Sequence, residues 1–232
     1  MSEYVFTPPP VPSLPVEGET ARFPIRRIYC VGRNYAEHAR EMGHDPDREP
    51  PFFFSKPADS ITEGGQDLPF PPQTEDLHYE GELVVCLGSG GRDLDLEAAS
   101  RTIFGYAVGN DLTRRDMQAL AKSLKRPWDL SKGFDGGAVV GPVHRHLVQD
   151  RADVLTAGAI RSFVNGEERQ SGDLAQMIWT IPEVISALSA SVTLGAGDLV
   201  FTGTPAGVGR LEKGDLVAVE IDGLGRIETR IV

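Results

Sequence analysis

Short apolar runs separated by glycine, proline and aspartate turns are the feature that most limits the fold of this chain. They are clearest in the C-terminal third, where LVFTG, LVAVEID and GRIETRIV follow one another with turn residues between them. Helix-like stretches are few and short, and they do not alternate regularly with the strand-like runs as a parallel α/β fold requires. The pattern therefore predicts a β-rich α+β fold with a few short helices.

Local signals predict several individual elements. Asparagine followed by glycine at 165–166, between alternating residues, is typical of a two-residue β-hairpin turn. Pro182 opens an apolar stretch at a position that is typical of the first turn of a helix. Tyr35–Met42 contains good helix formers and no β-branched residue. We expect Asn34 as the N-cap of that helix and Gly43 as its C-cap.

The chain is long enough for one well-buried core, and its 232 residues show no composition shift that would mark a second domain. Proline is concentrated near the N-terminus, in the run TPPPVPSLP. We therefore predict a proline-rich N-terminal arm over residues 1–20 and a single domain over residues 21–232. Both cysteines, Cys30 and Cys86, lie in apolar runs, which predicts buried thiols in a reducing compartment and hence a cytoplasmic protein.

Charge and hydropathy exclude several classes of partner. With 23 basic and 34 acidic side chains the net charge is −11, whereas binding to nucleic acid or to anionic membranes needs a basic surface. No apolar run reaches the ~20 residues needed to span a bilayer. The N-terminus also lacks the basic and apolar regions of a signal peptide. We therefore expect no nucleic acid and no membrane as partners. The net charge says little about an anionic small-molecule substrate, because a local cationic pocket can exist on an acidic protein.

Two glutamates lie in the apolar segment LHYEGELVV at residues 77–85. Glu80 and Glu82 are two positions apart, so in a strand their side chains would share one face of the sheet. On spacing alone, a solvent-exposed face is the simpler explanation. The alternative is a divalent cation between the carboxylates, because hard oxygen ligands suit Mg²⁺, Mn²⁺ or Ca²⁺. Asp111, at the end of the strand-like run GYAVGND, is then the best candidate for a third ligand.

His38 and Glu41 lie three positions apart on the predicted helix and would share one of its faces. A carboxylate in that position can hydrogen-bond the imidazole and raise its basicity, which would suit a general base that activates water. Exposed helices carry such pairs routinely, and on spacing alone that explanation is the simpler one.

Two further segments could contact a ligand. Lys132 lies in WDLSKGFDGG beside glycines that allow close backbone approach, and it could stabilise an enolate or bind a carboxylate. The turn TGTPAGVG at 202–209 could form an anion-binding nest of backbone N–H groups. A surface lysine and an ordinary tight turn would explain these segments equally well. The sequence contains no Gly-x-Ser-x-Gly, His-Glu-x-x-His or Cys-x-x-Cys motif, which leaves a metal with a general base as the supported chemistry.

Taken together, six segments resemble the fumarylacetoacetate hydrolase superfamily, and most closely its short single-domain acylpyruvate hydrolases. They follow the family's order over nearly the whole chain and read VGRNYAEHAREMG, PFFFSKP, HYEGELVV, GYAVGNDLTRRDMQ, WDLSKGFD and VFTGTPAGVG. The resemblance implies a mixed β-sandwich roll with a few short helices. It also implies that one helix acts as a lid over the site and that the protein is a homodimer.

The resemblance implies roles for particular residues. The three carboxylates named above match the family's ligands for Mg²⁺ or Mn²⁺, a site that Ca²⁺ could occupy in a crystal. His38 and Glu41 match a dyad on the lid helix that deprotonates water. Lys132 matches a lysine that contacts the oxyanion of the substrate. Matches to substrate-binding positions are Arg33, Arg115, Gln118 and Thr204, the last of these for the 2-keto carboxylate.

The implied reaction is hydrolysis of the C–C bond of a 2,4-diketo acid, that is, of an acylpyruvate. YVFTPPP and the segments from RRIYCVG to FFFSKPAD look most like members that cleave 3-fumarylpyruvate to fumarate and pyruvate in gentisate degradation. The second carboxylate of that substrate would need a cation, which Arg114 or Arg115 could supply. Acetylpyruvate hydrolysis, oxaloacetate decarboxylation and isomerisation of a 2-hydroxyhepta-2,4-diene-1,7-dioate are alternatives on the same scaffold. A catalytically silent protein that binds 2-keto acids is the alternative without catalysis.

Overall fold

The structure is a computed structural model and describes residues 3–42, 49–146 and 154–232. The helices within these ranges are short: α1 (Ala36–Glu41), α2 (Leu96–Arg101), α3 (Arg115–Ser123), α4 (Asp129–Lys132) and α5 (Ile181–Ser191), with 3-10 turns at Ala58–Ser60 and Leu174–Gln176. In chain order the strands are β1 (Ser13–Pro15), β2 (Arg22–Pro24), β3 (Arg27–Gly32), β4 (Phe52–Lys56), β5 (Ile61–Glu63), β6 (Leu77–Tyr79), β7 (Gly81–Leu87), β8 (Ile103–Asp111), β9 (Thr113–Arg114), β10 (Ala138–Val140), β11 (His144–Arg145), β12 (Ala159–Val164), β13 (Glu167–Asp173), β14 (Asp198–Phe201), β15 (Gly209–Leu211), β16 (Leu216–Ile221) and β17 (Gly225–Arg230).

Eight of these strands form a central mixed sheet. Its order is β4-β3-β14-β7-β8-β10-β5, and β11 pairs with the first part of β8. The β14–β3 and β10–β5 pairs are parallel and the other pairs of this sheet are antiparallel. A four-stranded antiparallel sheet of order β13-β12-β16-β17 and a three-stranded sheet of order β15-β6-β9 accompany it. The predicted β-rich α+β fold with few helices is confirmed.

Side-chain alternation along β7 divides the apolar residues between two cores. Leu83 and Val85 belong to a large core that also includes residues of the four-stranded sheet and of α5. Val84 and Cys86 belong to a second core that is completed by the N-terminal segment, including the fully buried Leu14. Because consecutive residues of a strand point to opposite faces, the central sheet is buried on both sides at this strand.

The pairing of β7 with β8 brings the acidic residues to one place. Glu82 on β7 is opposite Gly109, two residues before Asp111, which ends β8. Asp111 donates its N–H to the carbonyl of Glu80 at 2.9 Å, and Glu80 donates its N–H to the Asn110 side chain at 2.9 Å. The backbone therefore fixes all three carboxylates at the same end of two central strands.

The predicted N-cap of α1 is wrong. Tyr35 occupies the N-cap position. The buried Asn34 side chain donates instead to the carbonyls of Trp179 and Thr202, and it accepts the N–H of Trp179. Asn34 thus ties the start of the helix to two distant segments, a tertiary role that its cap-like residue type does not reveal. The predicted C-cap, Gly43, lies outside the described residues.

Two other local predictions are confirmed. Asn165 and Gly166 have φ angles of 53° and 84° and join β12 to β13, as a type I′ hairpin turn requires. Proline lies in the first turn of α5.

None of the helices that the structure describes is long and apolar enough to cross a membrane. The division into an arm and a catalytic domain stays a prediction, although β1 within the predicted arm pairs with β2.

Candidate active site

Three buried carboxylates converge where β7 begins and β8 ends. Glu80, Glu82 and Asp111 are only 5%, 3% and 0% exposed. Each offers an oxygen, and these atoms all lie within 4.8 Å of one another. A solvent-exposed strand face is therefore excluded as the explanation of the glutamate pair. Burial of several like charges is unfavourable unless positive charge compensates for it.

Three cationic side chains surround this cluster. Lys132 Nζ donates to Glu80 Oε2 at 2.6 Å and to Asp111 Oδ2 at 2.9 Å. Lys56 Nζ lies 2.7 Å from Asp111 Oδ1, and Arg115 Nη2 donates to Glu80 Oε1 at 2.5 Å. Burial by itself raises the pKa of Glu80, but the charges of Lys132 and Arg115 hold that pKa below its usual range. Two of the three carboxylates are thus well compensated.

Glu82 is the exception. Its Oε2 accepts the N–H of Gly203 at 2.7 Å, and no cationic side chain in the described ranges comes within ion-pair distance of it. Burial, followed by the charges of Asp111 and Glu80, raises the pKa of Glu82 well above its ordinary value. A divalent cation would supply the missing positive charge, and three carboxylates are ligands that such an ion prefers. The residues present therefore fit a divalent metal ion.

Lys56 is a site residue that the sequence analysis missed. It is buried, and besides its ion pair with Asp111 it donates to the carbonyls of Leu112, Lys132 and Gly137. One ammonium group thereby links a carboxylate of the cluster to the backbone of the second lysine. Such a buried cation is tolerated because acceptors surround it.

The histidine and glutamate of the predicted dyad do meet. His38 Nδ1 and Glu41 Oε2 lie 3.1 Å apart, and His38 is 8% exposed. The Glu41 carboxylate also accepts the N–H of Gly207, at 3.1 and 3.2 Å, which attaches α1 to the turn at 202–209. With Nδ1–H donated to the carboxylate, Nε2 carries the lone pair. The predicted motion of this helix as a lid stays a prediction.

A cleft joins these groups. Its lining includes most of the residues with predicted roles: His38, Glu80, Glu82, Lys132, Arg33, Arg115, Gln118 and Thr204. Asp111 lies behind the lining, and Glu41 reaches the cleft through His38. The remaining wall is largely apolar and consists of Val31, Gly32, Met42, Phe52, Phe54, Trp128 and Gly203, with Lys122 beside them.

The predicted substrate-binding residues differ in how much hydrogen-bonding capacity they retain. The Thr204 hydroxyl donates to the carbonyl of Gly81 and accepts from Gln170, both at 2.8 Å. Its proton is therefore not available to a ligand. Gln118 Oε1 accepts from Arg115 at 2.8 Å, which leaves its amide N–H groups for other partners. Contact of these residues with substrate stays a prediction.

Gly203 connects the turn to the carboxylate cluster. Its φ is +95°, and a Cβ atom there would lie 2.8 Å from Asn34 Cβ. We expect Gly203→Ala to reduce the free energy of unfolding by about 1–3 kcal/mol from backbone strain, with a further loss from the clash. Urea denaturation measures this. Gly214→Ala is the matched control, because Gly214 has φ +96° with nothing within 4 Å of an added Cβ; equal losses in both variants would contradict the clash.

Comparison with known protein families gives a match over residues 27–232 to the family described as fumarylacetoacetate (FAA) hydrolase, C-terminal. The match covers the carboxylate cluster, the dyad and the cleft. The chain belongs to the fumarylacetoacetate hydrolase family. The predicted family and its fold are thereby confirmed.

Three similar members of the fumarylacetoacetate hydrolase family are enzymes. A fumarylpyruvate hydrolase from Pseudomonas aeruginosa, crystallised with Mn²⁺ and pyruvate, is 47% identical, with a TM-score of 0.94 and 99% of each chain covered. The mitochondrial oxaloacetate decarboxylase of Dictyostelium discoideum is 39% identical over 200 residues, 86% of this chain and 90% of that protein. Fumarylpyruvate hydrolase from Ralstonia sp is 37% identical over 192 residues, 82% of this chain and 98% of that protein.

The metal ion of one relative can be compared with the acidic cluster of this chain. The Pseudomonas enzyme was crystallised with Mn²⁺. In the chain described here, the buried acidic cluster fits a divalent ion. The substrates in the relatives' names, fumarylpyruvate and oxaloacetate, are both 2-keto acids with two carboxylates.

Proposed function

We propose that this chain is a metal-dependent hydrolase that cleaves the C–C bond of 3-fumarylpyruvate, a 2,4-diketo acid, to give fumarate and pyruvate. The observation that carries the proposal is the hydrogen bond between His38 and Glu41 at the cleft that contains the buried carboxylate cluster. Hydrolysis needs a base that activates water, whereas decarboxylation of oxaloacetate adds no water. The choice of acyl group is supported by the 47% identity to the Pseudomonas aeruginosa enzyme.

Glu80, Glu82 and Asp111 are the proposed ligands of Mg²⁺ or Mn²⁺. A bound divalent ion would act as a Lewis acid and polarise the 2-keto carbonyl of the substrate. The cleft residues Lys132 and Arg115 keep their hydrogen bonds to this cluster and so hold the carboxylates in a fixed arrangement.

His38 takes the proton of the attacking water at Nε2 while Glu41 accepts its Nδ1–H and stabilises the imidazolium. The water oxygen bonds to C4 of the diketo acid, and cleavage of the C3–C4 bond leaves the electron pair on the pyruvate enolate. Transfer to C3 of the proton that His38 took from the water completes pyruvate and restores the neutral imidazole. Burial alone would lower the pKa of Lys132, but Asp111 and Glu80 raise it above its ordinary value. Lys132 therefore stays an ammonium group and donates a hydrogen bond to the developing oxyanion.

The proposal is tested by following the loss of diketo-acid absorbance with purified protein loaded with Mg²⁺ or Mn²⁺. Fumarylpyruvate, acetylpyruvate and oxaloacetate are compared side by side. We expect kcat/KM for fumarylpyruvate to fall in the range of about 10⁴–10⁸ M⁻¹s⁻¹ that is ordinary for enzymes, with at least about tenfold lower values for the others. Treatment with a chelator should remove the activity, and re-addition of the metal should restore it.

Oxaloacetate decarboxylation is the second candidate, because the Dictyostelium discoideum decarboxylase is 39% identical over most of both chains. A kcat/KM for oxaloacetate above that for both diketo acids would replace the proposed reaction with this one. Absence of turnover on all three acids would favour the protein that binds 2-keto acids without catalysis. The homodimer, the cytoplasmic location and the place in gentisate degradation stay predictions.

A further inference from the structure

Two cationic side chains that line the cleft form no ion pair with a carboxylate among the described residues. The Arg33 guanidinium lies over the ring of Phe52, 5.3 Å from its centroid, and Lys122 Nζ lies 5.0 Å from the centroid of Trp128. The two rings contact each other edge to face, with centroids 5.6 Å apart. We call Arg33 and Lys122 the cationic rim. Both side chains are held on one aromatic pair at half-buried positions.

The rim differs electrically from the carboxylate cluster. The cations at the cluster, Lys56, Lys132 and Arg115, are each engaged by a carboxylate at 2.9 Å or less. At the rim, burial and then the charges of Arg115 and Arg33 lower the pKa of Lys122, and the opposing charge of Glu80 does not offset them. Burial likewise lowers the pKa of Arg33, although the charge of Glu49 opposes it. Half-buried cations that have no carboxylate within ion-pair distance are stabilised by an incoming anion, and a carboxylate hydrogen-bonds to both ammonium and guanidinium groups.

An aromatic wall connects the cluster to the rim. Lys132 Nζ lies 5.0 Å from the centroid of Phe54. The Phe54 ring lies 5.8 Å from that of Trp128, which in turn carries Lys122. A planar, conjugated acyl chain that starts at the cluster could lie along these rings, because flat apolar groups stack well on aromatic faces.

We propose that Arg33 and Lys122 form a subsite for a carboxylate at the acyl end of the substrate, with Phe54 and Trp128 contacting the chain in between. The inference rests on the proposed hydrolysis of an acylpyruvate and deepens it. It defines the preferred substrates as 2,4-diketo acids whose acyl group ends in a carboxylate rather than in a methyl group.

The arginines that the sequence suggested for this role are engaged elsewhere. Arg114 stacks on the ring of Phe134, 4.5 Å from its centroid, and is not part of the cleft lining. Arg115 donates to Glu80 and Gln118. The rim therefore offers cations that the cluster does not already use.

Steady-state kinetics test the subsite through a ratio of two substrates. We expect Lys122→Met, and likewise Arg33→Gln, to lower the ratio of kcat/KM for fumarylpyruvate to that for acetylpyruvate at least tenfold, mainly through KM for fumarylpyruvate. Lys125→Met is the matched control, because Lys125 is exposed near the same helix and does not line the cleft; its ratio should equal that of the unsubstituted protein. Circular dichroism checks the fold of each variant, and Lys122→Gln replaces Lys122→Met if needed. A ratio unchanged in both rim variants overturns the inference.

Binding tests the subsite without turnover. Fumarate and crotonate share a trans four-carbon skeleton and differ in one end group, carboxylate or methyl. By calorimetry on the metal-loaded protein, we expect fumarate to bind at least tenfold more tightly than crotonate, and Lys122→Met to remove most of that preference. Equal binding of the two acids overturns the subsite. If fumarate is preferred through Lys122 but fumarylpyruvate is not hydrolysed, the subsite stands and the proposed reaction fails.

Discussion

Replacement of Glu82 by glutamine is expected to abolish metal binding and turnover while the protein stays folded. The glutamine keeps the size of the side chain and can still accept the N–H of Gly203, but it removes one of three anionic ligands. Calorimetric titration with Mn²⁺ measures the loss, together with the shift of the thermal unfolding midpoint on adding Mn²⁺. Glu228→Gln is the control, because it removes the charge of an exposed glutamate on β17. An unchanged Mn²⁺ affinity in Glu82→Gln would contradict the assignment of this ligand.

The same variant should change the pH dependence of stability in the chelator-treated protein. The folded-state pKa of Glu82 is raised well above its ordinary value of 4.5, so the folded state holds a proton that the unfolded state releases. The stabilisation from this group is therefore fully present below about pH 4.5, and it is lost as the pH rises through the folded-state pKa. After chelator treatment, the free energy of unfolding of Glu82→Gln at pH 8 should therefore be larger than that of the unsubstituted protein. This difference should become smaller as the pH is lowered to 4.5. A gain that grows towards low pH would contradict this sign.

Replacement of His38 by alanine is the second large effect, and it should separate hydrolysis from metal binding. Loss of the base should lower kcat for fumarylpyruvate by about 10²–10⁴-fold, the usual contribution of general base catalysis. The Mn²⁺ affinity should remain, because the imidazole is paired with Glu41 and is not one of the clustered ligands. Any oxaloacetate decarboxylation should be reduced less, since it needs no activated water.

A conservative change and a control sharpen the test of His38. Glu41→Gln should give a smaller loss than His38→Ala, because it removes the charge that supports the imidazolium but leaves the base in place. Glu37→Gln, an exposed change on the same helix, should leave kcat unaltered. Hydrolysis near the unsubstituted rate in His38→Ala would show that another group activates the water.

The parts of the site that alternation and local motifs control could be predicted from the sequence. That Glu80 and Glu82 share one face, and that His38 can meet Glu41, follows from spacing within one element. Spacing alone favours exposed positions for both pairs, and their place in a site with Asp111 is implied by the family resemblance. Lys56 had a weaker signal of the same kind. Lys56 is two and four positions after Phe54 and Phe52 on β4, and both phenylalanines line the cleft. Because alternate residues of a strand point to the same face, its side chain points towards the site as well.

Other features depend on contacts between distant segments and could not be predicted. Asn34 has the residue type of an N-cap, yet it bonds to backbone groups 145 and 168 positions away. Arg114 and Arg115 are adjacent in sequence, but only the second faces the carboxylates, because the chain passes from β9 into α3 between them. The Lys122 ammonium group lies over the ring of Trp128, a contact that no helical periodicity indicates.

The carboxylates and the rim lie in parts of the fold that differ in tolerance to mutation. Glu82 and Asp111 lie on central strands that are buried along almost their whole length, where most replacements disturb packing. Lys122 and Trp128 flank the exposed stretch 123–127, where replacements usually change stability by no more than about 0.5 kcal/mol. New acyl preferences can therefore be selected in this chain, in evolution or in a mutant library, by substitutions that leave the metal-binding strands untouched.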